Sequence, residues 1–245
     1  MKKQKLKGLY SYTLANRRNE MFKVKESEFK MELENGRFYV IRFDGKGMTK
    51  GFKIKYGAIN KVFFDTMKIA FISFVKKYKQ IIFAYSFSDE ISVLFKAEEG
   101  EDNIFSRGEK LLSLMAGQLA LDFYKASQTT KLDLKEQDWI FDARLIPLEK
   151  SEVIEYFKAR QSYGIDKYLS QCRGEYKLNY RLNISTQIIS ALKDKKIDYN
   201  KLNPEYKFGL TFAKGSLQQS FEYFGNEEKM EELCFDKETI TDDVA

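Results

Sequence analysis

The chain has 245 residues, of which 43% are hydrophobic and 32% are charged, and its formal net charge is +6. Such a chain can bury a core of its own, and its basic charge suits an anionic partner without proving one. Histidine is absent, which excludes Ser-His and Cys-His nucleophile systems and imidazole-ligated zinc. Catalysis must therefore use carboxylates, Lys, Arg, Tyr or an oxygen-ligated metal ion such as Mg²⁺ or Mn²⁺.

The expected compartment is the cytoplasm. Cys172 and Cys234 are the two cysteines, and they form neither a metal-ligand pattern nor a disulfide scaffold. No apolar run is long enough to span a bilayer, and no apolar segment of a signal peptide follows the lysine-rich start. No membrane partner is expected.

In the first 150 positions, short apolar runs with turn residues beside them predict strands, and apolar residues that recur at helical spacing predict helices. A polar lead-in over residues 1–30 precedes these elements. In chain order, the predicted elements are a strand at 37–43, a helix at 59–79, strands at 81–87 and 91–95, a helix at about 106–126 and a strand at 139–146.

This order of elements is the split βαβ, or ferredoxin-like, pattern, and it predicts an α+β fold with an antiparallel sheet. In that topology the third strand inserts between the first and the second. The end of the first strand, at Asp44, then lies beside the start of the third, at Asp89 and Glu90. Residues that are distant in the sequence are thus predicted to meet at one end of the sheet.

A largely helical extension, residues 151–245, is predicted to follow a catalytic domain formed by residues 1–150. Glu152 and Glu155 suit the N-terminus of a helix. The predicted elements of the extension are a helix at 151–160, a helix at 185–193 and a peripheral element or frayed tail at 226–245.

Asp44 and Asp89, with Glu90 as a third acid, are the candidate catalytic residues. Paired carboxylates can hold two divalent cations, which activate an attacking oxygen and stabilise a departing one during phosphoryl transfer. Gly45 lets a carbonyl group or a phosphate approach closely. The residues alone leave open the alternative that both acidic segments are ordinary turns, in which Asp and Gly are common.

Basic residues near these acids are candidate phosphate ligands. Arg107 and Lys110 share one face near the start of the second predicted helix, where they could grip a triphosphate together with the helix N-terminus. A solvated basic face is the alternative. Lys46 and Gly47 begin a loop rich in Lys and Gly that suits phosphates, although it matches no P-loop spacing.

Four short segments, taken in order, resemble the tRNA-His guanylyltransferase family. The order and spacing agree from about residue 6 to residue 209, and the resemblance looks closest to the bacterial and archaeal guanylyltransferase-like proteins. The segments are Ile-Arg-Phe-Asp-Gly-Lys at 41–46, Ser-Asp-Glu-Ile-Ser at 88–92, Phe-Asp-Ala-Arg at 141–144, and Tyr-Phe at 156–157 with Arg-Gln at 160–161.

The resemblance implies a polymerase-type palm that adds nucleotides to the 5′ end of tRNA in the 3′–5′ direction. ATP or GTP first activates a 5′-monophosphate, and the 3′-hydroxyl of an incoming NTP then attacks the activated end, or a 5′-triphosphate already present. Asp44, the Gly45 carbonyl and Asp89 match the family's ligands for two Mg²⁺ ions, with Mn²⁺ as an alternative. Ser88 and Glu90 match the adjoining residues of that motif.

The resemblance also implies that Arg107 and Lys110 contact the triphosphate and that the chain forms a homotetramer with tRNA bound across subunits. For Arg160 and Gln161, an ordinary surface role is the alternative to an RNA contact. The residues expected to contact RNA are Arg144, Arg160, Gln161 and Lys207.

Three departures from the family pattern are present. The Phe-His pair that follows Asp-Gly in the family is missing, because the loop is shortened to Gly-Met-Thr-Lys at 47–50. The His-Ile-Asn-Asn segment of true tRNA-His enzymes reads Gly-Ile-Asp-Lys at 164–167, which favours the branch that repairs tRNA 5′ ends by templated addition. Tyr-Lys-Phe-Gly at 206–209 matches the family's basic pair before glycine only in part.

The sequence therefore predicts a metal-dependent nucleotidyltransferase that repairs the 5′ end of tRNA. A true tRNA-His guanylyltransferase that adds a single 5′ G is the first alternative. The others are a palm-type synthase of signalling nucleotides and an RNA-binding subunit with a decayed site. Residues alone do not identify the physiological tRNA.

Overall fold

A computed structural model of the chain describes residues 31–48, 60–98, 100, 104–134, 139–179, 181 and 185–235. The predicted lead-in at 1–30 and residues 236–245 of the predicted tail lie outside this part. The strands and α-helices are β1 Phe38–Gly45, α1 Lys61–Val75, β2 Ile81–Phe87, β3 Glu90–Lys96, α2 Gly108–Thr130, β4 Phe141–Leu148, α3 Lys150–Glu175, α4 Ser185–Asp194, α5 Pro204–Phe208, β5 Leu210–Ala213, β6 Ser216–Gln218 and α6 Glu227–Phe235.

The six strands form one antiparallel sheet in the order β4-β1-β3-β2-β5-β6. β3 inserts between β1 and β2, as the order of the predicted elements required. Asp44 is in register with Glu90 across β1 and β3, and with Asp142 across β1 and β4. We call this the acidic end of the sheet. The opposite end, where Phe38 pairs with Lys96 and Leu148, is the far end.

Helices α1 and α2 cover one face of the sheet and enclose its larger apolar core. The side chains of Met115, Leu119 and Phe123 recur at helical spacing on α2 and are fully buried there. Helix α1 begins after Asn60, whose side chain accepts a hydrogen bond from the Phe63 N–H. The predicted helices therefore exist, with shifted ends.

Helices α3 and α6 pack on the other face of the sheet, where Phe157 contacts Phe83 edge to face. Helix α3 is much longer than predicted: it begins with a capping box between Glu149 and Glu152 and continues to Glu175. Its second half is held by packing against α4, and such tertiary contacts outweigh the modest helix propensity of a residue like Gly164.

The C-terminal part also contributes two strands that the sequence prediction missed. β5 pairs with the outer edge of β2, and β6 pairs with β5. Both strands are short, at 4 and 3 residues, so they carry too little alternation to be recognised from the sequence. No described helix is both long and apolar enough to cross a membrane.

Candidate active site

The acidic end of the sheet brings Asp44 and Asp89 together, as the topology predicted. Asp44 is the penultimate residue of β1 and is exposed, whereas Asp89 lies in the two-residue turn between β2 and β3 and is only 4% exposed. The Gly45 N–H donates a hydrogen bond of 3.0 Å to the Asp89 carbonyl oxygen. This backbone bond fixes the two aspartates next to each other.

The turn that carries Asp89 leaves one of its carboxylate oxygens without a partner. Ser88 adopts the left-handed conformation, with φ of 56°, which suits a tight hairpin turn. Among the described residues, none hydrogen-bonds Oδ1 of Asp89, although this atom is buried. An unpaired buried acceptor costs free energy, so an oxygen in this state marks a place where a cation can bind.

Gly45 occupies a position where packing excludes a side chain. A Cβ atom there would lie 2.6 Å from the Met48 sulfur and 3.0 Å from the Asp89 Cβ. The absence of that atom lets the end of β1 lie directly against the Asp89 turn. The protein's own side chains therefore occupy the space beside Gly45, and the approach of a phosphate to this residue stays a prediction.

Negative charge is concentrated around Asp44. Its pKa is raised, first because the carboxylate is partly removed from water and then because Asp89 and Glu90 repel it. Asp142 adds to this repulsion, and Lys167 opposes it. Several carboxylates thus lie close together, and the positive charge near them is too small to cancel their repulsion. Such clusters with shifted pKa values are frequent at functional sites.

Glu90 does not act as a free third acid, because Arg160 binds its carboxylate in a two-pronged ion pair. The Arg160 Nε donates to Oε1 of Glu90 at 2.8 Å, and the side chains are only 18% and 14% exposed. This pairing rules out the alternative of an ordinary surface arginine at 160. Within the described ranges, no group of three or more acids or cysteines is arranged to hold a metal ion.

One face of α3 carries a row of basic and aromatic side chains, of which Lys167 interacts electrostatically with Asp44 and Asp89. The Arg160 guanidinium and the Lys167 ammonium lie 4.8 and 4.7 Å from the centre of the Tyr163 ring. Sequence reasoning missed Lys167 because the predicted helix stopped at 160. The signal was present, since positions 160, 163, 164 and 167 share one helical face.

Asp142 was also missed as a member of the site. Its motif was recognised, but its closeness to Asp44 depends on the pairing of β4 with β1. Arg144 donates to Asp142 at 3.0 Å, and both side chains are more than half exposed. Arg144 therefore lies on the surface beside the aspartates, where the predicted RNA contact is accessible.

Arg107 and Lys110 lie away from the aspartates within one chain. β3 carries the chain from the acidic end to the far end before α2 begins, and the Gly108 N–H bonds the Met31 carbonyl there. Arg107 forms an ion pair with Glu109 at 3.1 Å. Within one chain α2 thus starts at the end of the sheet opposite Asp44 and Asp89, and the expected contact of Arg107 and Lys110 with the triphosphate stays a prediction.

Two predicted RNA contacts are buried structural groups. The Gln161 side chain is fully buried and bonds the Phe208 and Phe221 carbonyls and the Tyr223 N–H. Lys207 is also buried, and its ammonium lies 4.7 Å from the Tyr199 ring centre. In this conformation neither side chain can reach RNA, so both predictions are wrong.

The start of the lysine-rich loop lies at the mouth of the site. Lys46 and Gly47 are exposed directly after β1, and the Lys46 N–H bonds the Ile140 carbonyl at 2.9 Å. Gly47 has a φ of 71°, the left-handed conformation that glycine adopts readily. The rest of the loop, residues 49–59, lies outside the described part of the chain.

Comparison of the sequence with protein families gives one match. The sequence model of tRNAHis guanylyltransferase matches residues 21–149, which is more than half of the chain. The matched region contains Asp44, Asp89 and Asp142. No curated protein sequence matches the chain at a significant level.

Solved structures give a similar result at low sequence identity. A bacterial tRNAHis guanylyltransferase-like protein in complex with ATP has a TM-score of 0.76 and 17% identity, covering 89% of this chain and 98% of its own. A structure of such a protein with GTP has a TM-score of 0.72 and 18% identity, covering 89% and 99%. The tRNAHis guanylyltransferase from Saccharomyces cerevisiae has a TM-score of 0.70 and 19% identity, covering 84% of this chain and 98% of its own. At these identities the likeness shows a shared fold.

Proposed function

The chain belongs to the tRNAHis guanylyltransferase family of nucleotidyltransferases, and from that premise we propose that it repairs tRNA 5′ ends by templated 3′–5′ nucleotide addition. The observation that carries the proposal is the juxtaposition of Asp44 with Asp89 at the acidic end of the sheet. We further propose that strands β4-β1-β3-β2 form a polymerase-type palm of ferredoxin-like topology, which their order supports.

Divalent metal ions fit the residues at the acidic end. Asp89 offers a buried oxygen without a partner among the described residues, and repulsion from neighbouring acids raises the pKa of Asp44 in addition to the effect of burial. Carboxylate and carbonyl oxygens are the ligands that Mg²⁺ and Mn²⁺ prefer. We propose that Asp44, the Gly45 carbonyl and Asp89 hold two Mg²⁺ ions. Bound ions of this kind activate an attacking hydroxyl and neutralise charge on a leaving phosphate.

The protein's own groups position the reactants. The bond from Gly45 to Asp89 and the left-handed turn at Ser88 fix the two aspartates before any substrate binds. Such preorganisation lowers the barrier because no reordering is needed at the moment of reaction. Lys46, Gly47 and Ser88 border the aspartates, and we propose that they contact the nucleotide. Arg144 is proposed to contact a phosphate of the RNA.

Glu90 and Arg160 serve the site indirectly in this proposal. Their ion pair neutralises an acid that would otherwise add full charge beside Asp44. It also ties helix α3 to the start of strand β3, and so holds the helix face that contains Tyr163 at the acidic end of the sheet. We therefore treat both as positioning residues.

ATP and GTP are the proposed nucleotides for activation, with tRNA as the RNA partner. Bacterial relatives of similar fold have been solved with each of these nucleotides. A homotetramer with tRNA bound across subunits is part of the same proposal, since it follows from the family resemblance.

Templated repair is preferred to single-G addition because of residues 164–167. True tRNA-His enzymes have His-Ile-Asn-Asn there, and this chain has Gly at the first position. A Cβ atom at Gly164 would lie 2.8 Å from the Tyr85 hydroxyl and 2.9 Å from the Phe87 ring. The packing of α3 against β2 thus excludes a histidine at this position without rearrangement.

The test is incubation with Mg²⁺, labelled NTPs and a tRNA transcript that lacks its first 5′ nucleotide. Wild type should add the nucleotide that the opposite strand specifies, to monophosphorylated or triphosphorylated ends. Asp44→Ala and Asp89→Ala should lose at least about 100-fold in rate, since even indirect disruption of metal sites costs about 10–100-fold. Asp65→Ala, on helix α1, is the matched control and should retain activity.

Each other outcome points elsewhere. The absence of incorporation at both kinds of 5′ end would reject the proposed function, and tRNA binding without incorporation would indicate a decayed site. Equal rates for wild type and the Asp44 and Asp89 variants would reject the site. Addition of one G regardless of the template would indicate a true tRNA-His enzyme, and a product formed from NTPs without RNA would indicate a signalling-nucleotide synthase.

A further inference from the structure

We propose that Lys167 is a phosphate-binding residue of this active site and that it contacts the triphosphate of the nucleotide bound at Asp44 and Asp89. This inference rests on the proposed function and deepens it. It assigns to helix α3 the contact that the sequence had assigned to Arg107 and Lys110 on helix α2.

The position of Lys167 is set by the row of side chains on α3. Tyr163 is four residues before it, so the two share a face of the helix, and the Lys167 ammonium lies 4.7 Å from the Tyr163 ring centre. Arg160, which Glu90 anchors to β3, lies 4.8 Å from the centre of the same ring. The Lys167 side chain is therefore held in one direction by an aromatic contact.

The distance between α3 and the sheet is set one turn earlier, at Gly164. Any larger residue there would collide with Tyr85 and Phe87, the side chains of β2 that face α3. Phe87 is the last residue of β2, and the turn with Asp89 follows immediately. The tight packing at Gly164 thus brings the next turn of the helix, with Lys167, toward the aspartates.

The Lys167 ammonium interacts electrostatically with both aspartates, yet forms no close ion pair with either in the described part of the chain. Burial works against its charge, but a hydrogen bond to Tyr163 and the attraction of Asp89 and Asp44 outweigh this and raise its pKa. The ammonium therefore stays charged beside the acids, and among the described residues its close polar and ring partner is Tyr163. Its donors are available for a ligand.

Two other basic side chains at this end of the sheet are already paired, and Lys46 lies exposed after β1. Arg160 is bound to Glu90, and Arg144 to Asp142. A triphosphate brings several negative charges to an end of the sheet that is already acidic, and lysine is a common partner of such phosphates in nucleotide sites. Lys167 is the cation that the fold directs toward that position.

The test compares binding of ATP and of adenosine by calorimetry with Mg²⁺ present and RNA absent. Lys167→Met should weaken ATP binding about tenfold or more and leave adenosine binding unchanged, because a charge-assisted hydrogen bond to a phosphate is lost. Lys167→Arg should retain most of the ATP affinity. The matched control is Lys150→Met. Lys150 lies on α3 too, at the opposite end from Lys167, and its ammonium is 4.8 Å from the ring centre of Phe235 on α6.

Two results would overturn the inference, provided that thermal unfolding shows a folded variant. In the first, Lys167→Met binds ATP as tightly as wild type. In the second, ATP and adenosine weaken equally while Mn²⁺ binds more tightly, which would show that Lys167 only neutralises the aspartates. This experiment measures ATP binding without RNA, whereas the earlier one measures nucleotide addition to tRNA. A wrong proposal about Lys167 can therefore be told apart from a wrong proposal about the function.

Discussion

The two ends of the sheet differ in how their charged residues are arranged: opposite charges are paired at the far end, and acids lie side by side at the acidic end. At the far end Arg37 pairs with Glu34 at 3.0 Å and with Glu149 at 3.2 Å, and these side chains are exposed or partly exposed to water. At the acidic end Asp44 is in register with two other acids, Glu90 and Asp142. Like charges on paired strands destabilise a sheet.

The difference shows which end the fold stabilises and which it leaves for a ligand. At the far end opposite charges meet at the surface, where salt and water make their energies small. At the acidic end one acid is neutralised by Arg160, while Asp44 and Asp89 are left without a close partner among the described residues. Carboxylates that are left without a close partner beside other acids cost stability, and such positions are where a functional site is expected.

The largest stability effect should come from Arg160→Met. It leaves the Glu90 carboxylate buried, unpaired and beside Asp44, and breaking such a pair costs about 3 kcal/mol. Urea unfolding of the variant and of wild type measures this difference. A loss below about 1 kcal/mol would show that water compensates for the missing guanidinium and that the pair behaves like those at the far end.

The double variant Glu90→Gln, Arg160→Met is the control for that experiment. It removes both charges, so the unfolding free energy should return most of the way to the wild-type value. Failure to recover would mean that the lost packing of Arg160 against Tyr163, rather than the unpaired charge, caused the effect.

Asp44→Asn should stabilise the folded protein by up to about 1 kcal/mol at neutral pH in the presence of EDTA, while abolishing nucleotide addition. The raised pKa of Asp44 means that the folded state holds its charge at a cost, which the amide removes. The gain should vanish below the unfolded-state pKa of about 3.9, where both states are protonated. Thermal unfolding across pH measures it, and a loss of stability at pH 7 would contradict the repulsion argument.

The smallest effect is expected at the far end, from Glu34→Gln. The Glu34 side chain, which pairs with Arg37, is 70% exposed. The free energy of unfolding should therefore change by less than about 0.5 kcal/mol. Nucleotide addition should be unchanged, since this residue lies at the other end of the sheet. A change in activity comparable to that of Asp44→Asn would mean that the two ends are coupled.

The order of strands and helices was predictable because its signal is local. Short apolar runs identified β1 to β4, and the apolar spacing of α1 and α2 identified their buried faces. The ends of elements were less accurate: α3 extends 15 residues beyond the predicted end at 160, since contacts with α4 stabilise its second half. Strands β5 and β6 form by pairing along β2, which no local pattern encodes.

The sequence by itself was enough to predict that Asp44 and Asp89 lie side by side. The element order matches the split βαβ pattern, in which β3 lies beside β1, and that arrangement brings Asp44 next to Asp89. The absence of histidine limited the chemistry to carboxylates, other polar side chains and metal ions. Both conclusions need only periodicity, connectivity and composition.

Only the tertiary structure decided which side chains surround that pair. It bound Glu90 to Arg160, buried Gln161, placed Arg107 at the far end and directed Lys167 toward the acids. These outcomes depend on how closely α3 packs against β2 and on where α2 begins, which are distances between elements far apart in the sequence. Electrostatic partnerships follow such distances, because Coulomb energies and burial are set by space and not by chain order.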